Sequence, residues 1–160
     1  MDNLNFLPAA DAADRIRCGQ VSATQLIADC LVQISRFVDL VHACEYLDRA
    51  GAMAHAQTAD EKLRGGEQVG PLAGVPVGVK DIFNTRDMPT CMGSPIFSDF
   101  TPGNDARVVY MLRQGGAIIP GKTVTAEFAV HALDKTLNPH DRAYSPGTTS
   151  SGSAAAVAAG

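Results

Sequence analysis

Apolar residues recur at helical spacing in the first third of the chain, with polar residues between them. The pattern begins after Ser22, which precedes Gln25 by three residues, so each side chain can satisfy a free backbone amide in a capping box. One apolar stripe then follows along a single helix face: Leu26, Ile27, Cys30, Leu31, Ile34 and Phe37. The pattern predicts a long amphipathic helix that starts at Ser22.

Two further helices are predicted around this one. Residues 9–18 have the pattern of a short helix that stops at Gly19. Residues from about 48 to 64 have the pattern of a helix that stops at the Gly65–Gly66 pair, because glycine favours helix C-termini. We therefore expect an N-terminal helical layer over residues 1–68.

The pattern changes near residue 70, where glycine-rich apolar sequence begins. Residues 72–79 are too short for a helix and predict a buried strand, with Pro76 near its start or at a bulge. Residues 105–114 predict a helix and residues 117–120 a second strand, an order typical of parallel α/β folds. The inner residues expected for that helix are Val108, Val109, Met111 and Leu112.

The last part of the chain predicts a loop and then a helix. Residues 138–152 are rich in proline, serine, threonine and glycine, and residues 153–160 have the composition of an alanine-rich helix. Eight residues make barely two turns, which is marginal without packing. We expect residues 69–160 to be the first part of a single, truncated α/β domain.

Composition excludes several functional classes. The chain has 160 residues, 46% hydrophobic and 19% charged, and its net charge of −4 argues against a nucleic-acid footprint. It has no apolar run of about 18 residues and no basic, then apolar, signal segment at its start, so we expect no membrane partner. Its four cysteines are widely spaced, which fits a reduced, cytoplasmic setting, and they show no metal-ligand spacing with the histidines.

Lys80 is the first candidate for chemistry, because it ends the apolar stretch before Asp81. Burial disfavours the charged form of a lysine, and a neutral lysine can act as a general base. The alternative is a lysine whose amine reaches solvent from a strand end. Local sequence alone favours that alternative, since most lysines are exposed.

The second candidate is the hydroxyl-rich segment 147–153, directly before the predicted C-terminal helix. Backbone amides at a helix start favour negative charge, so the segment could cradle an anion. Its hydroxyls could instead relay protons to assist a nucleophile. A third interpretation is a simple helix cap with a flexible serine-rich approach.

Taken together, these segments resemble the amidase signature family. The matching segments occur in the family's order between about residue 70 and residue 160: Gly74-Val75-Pro76-Val77-Gly78-Val79-Lys80-Asp81, Gly121-Lys122-Thr123, Glu127-Phe128-Ala129, Asn138-Pro139, and the serine/glycine loop before Ala154-Ala155-Ala156-Val157-Ala158-Ala159-Gly160. The resemblance implies an α/β fold with a central mixed sheet flanked by helices, here incomplete.

The resemblance also implies which residues act. The family's catalytic lysine falls on Lys80, and its serine preceded by a cis peptide bond falls on Thr149, a departure that keeps the hydroxyl but adds a stiff methyl. Thr148 replaces the usual glycine, and Ser150 is the neighbour that could substitute. The substrate contacts implied are Ala129, Val130 and His131.

The family's nucleophilic serine and its oxyanion donors belong to a later segment, so we expect this chain to end before them and to be inactive alone. Lys122 is expected to pack or pair at a strand end and not to act directly. The Gly-Lys-Thr around it lacks the upstream glycine spacing of a P-loop. The implied reaction is hydrolysis of a small-molecule amide without a metal or organic cofactor.

Alternatives remain at this point. The chain could be a non-catalytic remnant, a subunit completed by another chain or in a homo-oligomer, or an anion- or nucleotide-binding α/β module. Aryl amides, short aliphatic amides, urea derivatives and glutamine for tRNA-dependent amidation are all open as substrates. Glutamine is the least expected, because residues 123–135 depart from that subgroup.

Overall fold

The computed structural model describes residues 3–160, so the first two residues of the predicted helical layer lie outside the described part. Its helices are α1 (Ala9–Arg17), α2 (Ala23–Val41), α3 (Arg49–Arg64), α4 (Arg107–Gln114) and α5 (Ser151–Ala159). Its strands are β1 (Cys44–Leu47), β2 (Val79–Lys80) and β3 (Gly121–Thr123), and short 3₁₀ turns occupy Leu4–Phe6, Pro95–Phe97 and Glu127–Ala129.

The chain divides into two compact units whose segments interleave along the sequence. The first unit contains the residues up to Ile34 together with Asp48–Val77 and Tyr110–Pro120. The second contains Ser35–Leu47, Gly78–Val109 and Gly121–Gly160. Each unit therefore draws residues from both halves of the sequence.

The predicted N-terminal helices are confirmed. The Ser22 hydroxyl accepts a hydrogen bond from the Gln25 amide at 3.0 Å, and the Gln25 side chain accepts one from the Ser22 amide at 2.9 Å, which completes the capping box. Asp60 of α3 adds a second cap to α2, since its carboxylate accepts a hydrogen bond from the Ala23 amide at 2.7 Å. A carboxylate is favoured at this end of a helix, so α3 holds the start of α2 in the first unit.

The predicted strand over residues 72–79 is mostly wrong. Regular pairing is confined to β2, and upstream of it only an isolated parallel bridge joins Pro76 to Ile118. Gly74 has a φ of +78°, and Pro76 has no amide hydrogen to donate, so the backbone between them cannot continue a strand ladder. The second predicted strand, 117–120, likewise contributes one bridge, and β3 starts just after it.

The inward face predicted for α4 is also wrong in part. Val109 is fully buried, but Val108 is 46% exposed and Met111 58% exposed. Residues three apart share a helix face, so Val109 and Leu112 point one way and Val108 and Met111 another. Only the first of these two rows is covered in the structure.

The sheet belongs to the second unit and has the order β1-β3-β2. β3 pairs with β2 in parallel and with β1 antiparallel, so the sheet is mixed, as the resemblance implies. The sequence pattern missed β1, whose register shifts between Cys44 and Tyr46. Such a bulge breaks the alternation by which a strand is recognised.

Helix α5 begins at Ser151, two residues before its predicted start, and packs closely on the sheet. A Cβ atom on Gly152 would lie 2.3 Å from the Val124 nitrogen and 2.5 Å from the Ala43 carbonyl oxygen. Only glycine allows the first turn of α5 to approach those backbones so closely. Among residues 3–160, no helix is both long and apolar enough to cross a membrane.

Candidate active site

The side chains of Lys80 and Thr149 meet in the second unit. Lys80 ends β2, and its Nζ donates a hydrogen bond to the Thr149 Oγ1 in the turn before α5. The Thr149 carbonyl accepts a hydrogen bond from the Ala126 amide at 3.2 Å, and the Thr148–Thr149 peptide bond is cis. The structure thus brings together two of the predicted site residues.

The surroundings of Lys80 change its proton affinity. The side chain is partly buried, and burial lowers its pKa from the ordinary value of 10.5. Burial acts in this direction because an ammonium loses more hydration than a neutral amine. The amine is therefore easier to deprotonate than that of an exposed lysine.

The sheet separates two sets of polar side chains. In the β2–β3 pairing, Lys80 lies opposite Thr123, and Val79 lies opposite Lys122. Opposed residues share a face and successive residues alternate, so Lys80 and Thr123 share the face that meets α5. The Thr123 and Ser153 hydroxyls lie 2.7 Å apart on that face, which ties α5 to the strand beside Lys80.

Lys122 lies on the other face and is fully buried with Asp81. Its Nζ is 3.0 Å from Asp81 Oδ1 and donates hydrogen bonds to Thr90 Oγ1 at 2.7 Å and to the Pro89 carbonyl at 3.0 Å. The pairing expected for Lys122 is therefore present. Two of its three contacts are hydrogen bonds, and the third is an ion pair with the Asp81 carboxylate.

The remaining serines of the loop are arranged differently from Thr149. Ser150 is exposed at the start of α5, and its side chain makes no capping hydrogen bond. Ser151 is buried and donates a hydrogen bond to Asp134 Oδ2 at 2.5 Å. The hydrogen bond of Lys80 is to Thr149, so the structure does not bring Ser150 into the Lys80 contact.

The predicted substrate contacts lie in the segment 127–131, next to the same turn. Ala129 is partly buried and has a φ of +56°, while Val130 and His131 are exposed. The Thr148 hydroxyl donates a long hydrogen bond of 3.5 Å to the Val130 carbonyl. On the other side of the segment, the Ser94 hydroxyl donates to Glu127 at 2.7 Å, which anchors it.

Two acidic residues near the site were not predicted as parts of it. Asp81 follows Lys80 directly, and a carboxylate after an apolar stretch is a signal that could have marked it. Asp134 contacts Ser151 across 17 positions, and nothing in the local sequence marks that contact. Asp81 is adjacent to Lys80 in the chain, and Asp134 binds Ser151, two residues after Thr149.

The structure combines a mixed sheet with a lysine at a strand end, and this lysine is hydrogen-bonded to a hydroxyl in the turn before a helix. Comparison with known proteins identifies the family of this chain. The family model described as Amidase matches residues 25–160. The chain belongs to the amidase signature family, and the resemblance inferred from its motifs is confirmed.

Individual relatives agree with this assignment. The chain is 42% identical to a glutamyl-tRNA(Gln) amidotransferase subunit of Acidothermus cellulolyticus, over 99% of the chain and 33% of that protein. The peptide amidase of Stenotrophomonas maltophilia superimposes with a TM-score of 0.84 at 32% identity, over 94% of the chain and 33% of the amidase. The chain thus spans about one third of the length of these relatives.

A third relative belongs to an assembly. It comes from a structure described as an unexpected vestigial protein complex that reveals the evolutionary origins of an s-triazine catabolic enzyme. The TM-score is 0.90 at 31% identity, over 96% of this chain and 35% of that one. The fold of the described residues is therefore that of amidase-signature proteins.

Proposed function

We propose that this chain supplies the lysine base and the relay hydroxyl of a serine-type amide hydrolase. The observation that carries the proposal is the hydrogen bond between Lys80 Nζ and Thr149 Oγ1. A base must lie within hydrogen-bond reach of the proton it takes, and this pair meets that condition. The lowered pKa of Lys80 favours the neutral amine that a base requires.

The proposed reaction begins with neutral Lys80. Its Nζ takes the proton of the Thr149 hydroxyl, while the Thr149 oxygen takes a proton from a nucleophilic serine. The serine oxygen then attacks the amide carbonyl carbon and forms a tetrahedral intermediate. The relay returns the proton to the amide nitrogen, the C–N bond breaks and the amine leaves. Water hydrolyses the acyl-serine by the same relay.

The nucleophile and the oxyanion donors are proposed to come from a segment outside residues 1–160. Ser94, Ser98, Ser145 and Ser151 do not match the family's nucleophile motif. Ser94 and Ser151 are also engaged with Glu127 and Asp134 through their hydroxyls. We expect the 160-residue chain alone to release no product from amides.

The relay is favoured over an anion site at the start of α5. The hydroxyls of Thr149, Ser151 and Ser153 all face partners within the protein: Lys80, Asp134 and Thr123. Those three hydroxyls are therefore not free to bind an anion. The Asp134 carboxylate beside Ser151 would also repel an anion there.

For the substrate, we propose a small primary amide, with glutamine the first to test. The name of the Acidothermus cellulolyticus relative favours tRNA-dependent amidation more than residues 123–135 alone suggest. In that case the working protein is one component of a larger enzyme that acts with other chains in the cytoplasm. The assembly that contains the third relative supports the expectation of a partner chain.

A chimera tests the proposal. This chain would replace the matching third of the Acidothermus cellulolyticus amidotransferase subunit, and ammonia release would be measured with glutamine, acetamide, benzamide and urea. We expect activity toward at least one amide, lost in Lys80→Met and kept in Lys62→Met, which removes an exposed lysine of α3. A folded chimera that is inactive while the parent protein is active would support the non-catalytic remnant instead.

A further inference from the structure

Lys122 is a fully buried ammonium that the proposed reaction does not use. Burying a charge is costly unless pairing and hydrogen bonds compensate for the lost water. Its Nζ faces three oxygens, on Asp81, Thr90 and Pro89, at 3.0, 2.7 and 3.0 Å. The Asp81 carboxylate at ion-pair distance fits the charged form of the amine.

Asp81, the partner of Lys122, is held on every side. Its amide donates to the Thr123 carbonyl at 2.9 Å, and its carbonyl accepts from the Met92 amide at 3.0 Å. Its Oδ2 accepts from the Cys91 amide at 3.0 Å, and its Oδ1 faces Lys122. Lys122 thus joins β3 to Asp81, Pro89 and Thr90 through a single ammonium group.

Asp81 is the residue after Lys80, so its position constrains Lys80. Neighbouring Cα atoms are about 3.8 Å apart across a rigid peptide plane. Because β2 has only two residues, the ladder itself fixes little of this segment. The contacts of Asp81 on the reverse face therefore limit where the Lys80 side chain starts on the face of Thr149.

We propose that Lys122 is a positioning residue for Lys80, acting through Asp81 to keep the Lys80 amine against Thr149. Its consequence for catalysis rests on the proposed function. The positioning itself does not, because it concerns only contacts within the chain.

Several titratable groups surround this pair. Asp87 and Cys91 add to the field at Lys122, and Glu45 and Lys122 to the field at Asp81. Burial raises the pKa of the Asp81 carboxyl and lowers the pKa of the Lys122 ammonium, and the contact between the two groups opposes both shifts. The pair is stable as an ion pair only while both partners are present.

The test measures the titration of Lys80 in the 160-residue chain. Competitive acylation at a series of pH values, read by peptide mass spectrometry, gives a midpoint for each amine. In the unmodified chain, the Lys80 midpoint should lie below 10.5, the ordinary value for a lysine. In Lys122→Met, we expect it to rise toward that ordinary value, because the displaced amine becomes hydrated. Lys62→Met is the matched control and should leave Lys80 unchanged.

A double-mutant cycle tests whether Lys122 acts through Asp81. Asp81→Asn should also raise the Lys80 midpoint, and adding Lys122→Met to Asp81→Asn should raise it no further. Fully additive shifts would overturn the inference. So would a Lys122→Met chain that melts at lower temperature with an unshifted Lys80 midpoint, which is the result of a purely stabilising role.

The double variant leaves no unpaired buried charge, so it should fold even where Lys122→Met does not. In that case, an unshifted midpoint in both Asp81→Asn and the double variant would equally overturn the inference. In the chimera, we expect Lys122→Met to lower kcat by roughly 10- to 100-fold with little change in KM. A shifted Lys80 midpoint together with an inactive chimera would reject the amidase proposal and keep the positioning proposal. Full activity of the Lys122→Met chimera together with an unshifted Lys80 midpoint would keep the amidase proposal and reject the positioning proposal.

Discussion

Lys80 and Thr149 are 69 positions apart in the sequence, yet the amine of one donates a hydrogen bond to the hydroxyl of the other. The contact joins the end of β2 to the turn before α5. Thr149 is anchored there by its carbonyl, which accepts from the Ala126 amide. The end of β2 and the turn before α5, both in the second unit, therefore hold the amine and the hydroxyl in contact.

The hydroxyl of Thr149 should be essential, and its methyl dispensable. We expect Thr149→Val, which keeps the shape but removes the hydroxyl, to lower kcat of the chimera by roughly 100-fold or more, in the range of a lost proton transfer. Thr149→Ser should retain or raise activity because it frees χ1. Steady-state kinetics would check both.

Ser150→Ala serves as the comparison for Thr149. Its exposed side chain is outside the Lys80 contact, so we expect activity within about threefold of the parent. A large loss in Ser150→Ala, together with an active Thr149→Val, would transfer the relay to Ser150.

The pH dependence of stability should carry the sign set by Lys80. Its folded pKa lies below 10.5, so between the two values the unfolded chain holds a proton that the folded chain has lost. Stability therefore rises with pH through this window, and the cost of burying the ammonium is fully present only below it. The gain in stability of Lys80→Met over the parent should therefore be larger at pH 7 than at higher pH.

Urea unfolding of both chains at pH 7 and near pH 10.5 would measure this difference. We expect the advantage of Lys80→Met to shrink at the higher pH, and to be small throughout because Lys80 is only partly buried. An advantage that grows with pH would contradict the assigned direction of the pKa shift.

Gly152→Ala should destabilise the second unit. The added Cβ would meet backbone atoms of Val124 and Ala43, which cannot move as a side chain can. We expect a loss of about 1–3 kcal/mol in the free energy of unfolding. Gly65→Ala is the matched control, since its nearest atoms would lie at 3.4 and 3.5 Å and its φ is −73°.

Thermal and urea unfolding would compare the two glycine variants. Gly65→Ala should stay within about 0.5 kcal/mol of the parent. Equal effects at the two positions would show that the close approach of α5 to the sheet is not limiting.

The exposed side of α5 should promote association of the isolated chain. Val157 is 84% exposed beside exposed Ala154 and Ala158, an apolar surface that water disfavours. We expect concentration-dependent association in sedimentation velocity, reduced by Val157→Glu. Val32→Glu alters a residue of α2 that is 66% exposed and should reduce it less. A chain that is monomeric at all concentrations would contradict this.

The helices were predictable because their signals are local. The capping box of α2 and the glycines after α1 and α3 lie within a few residues of the ends they mark. The strands β2 and β3 were not predictable. They have only two and three residues, which is too few to show an alternation of apolar and polar positions. The domain boundary between residues 68 and 69 remains a prediction.

The site was predictable only as far as the family motifs reach. Those motifs indicated Lys80 and Thr149, which the structure brings into contact, although their roles remain proposals. Ser151 and Asp134 are linked by the folded chain and not by any spacing in the sequence. The burial of Lys122 likewise depends on its partner Asp81, 41 positions earlier in the chain.

The alternation along β3 makes the site intolerant of a slipped pairing. Moving this strand by one residue would turn the Lys122 amine toward α5 and the Thr123 hydroxyl toward the buried Asp81. Gly121 guards against that error, because any side chain brought to its place would collide with the Tyr46 carbonyl, only 2.2 Å from a Cβ there. Gly121 at the start of the strand thus helps to fix the register on which the contacts on both sides of the sheet depend.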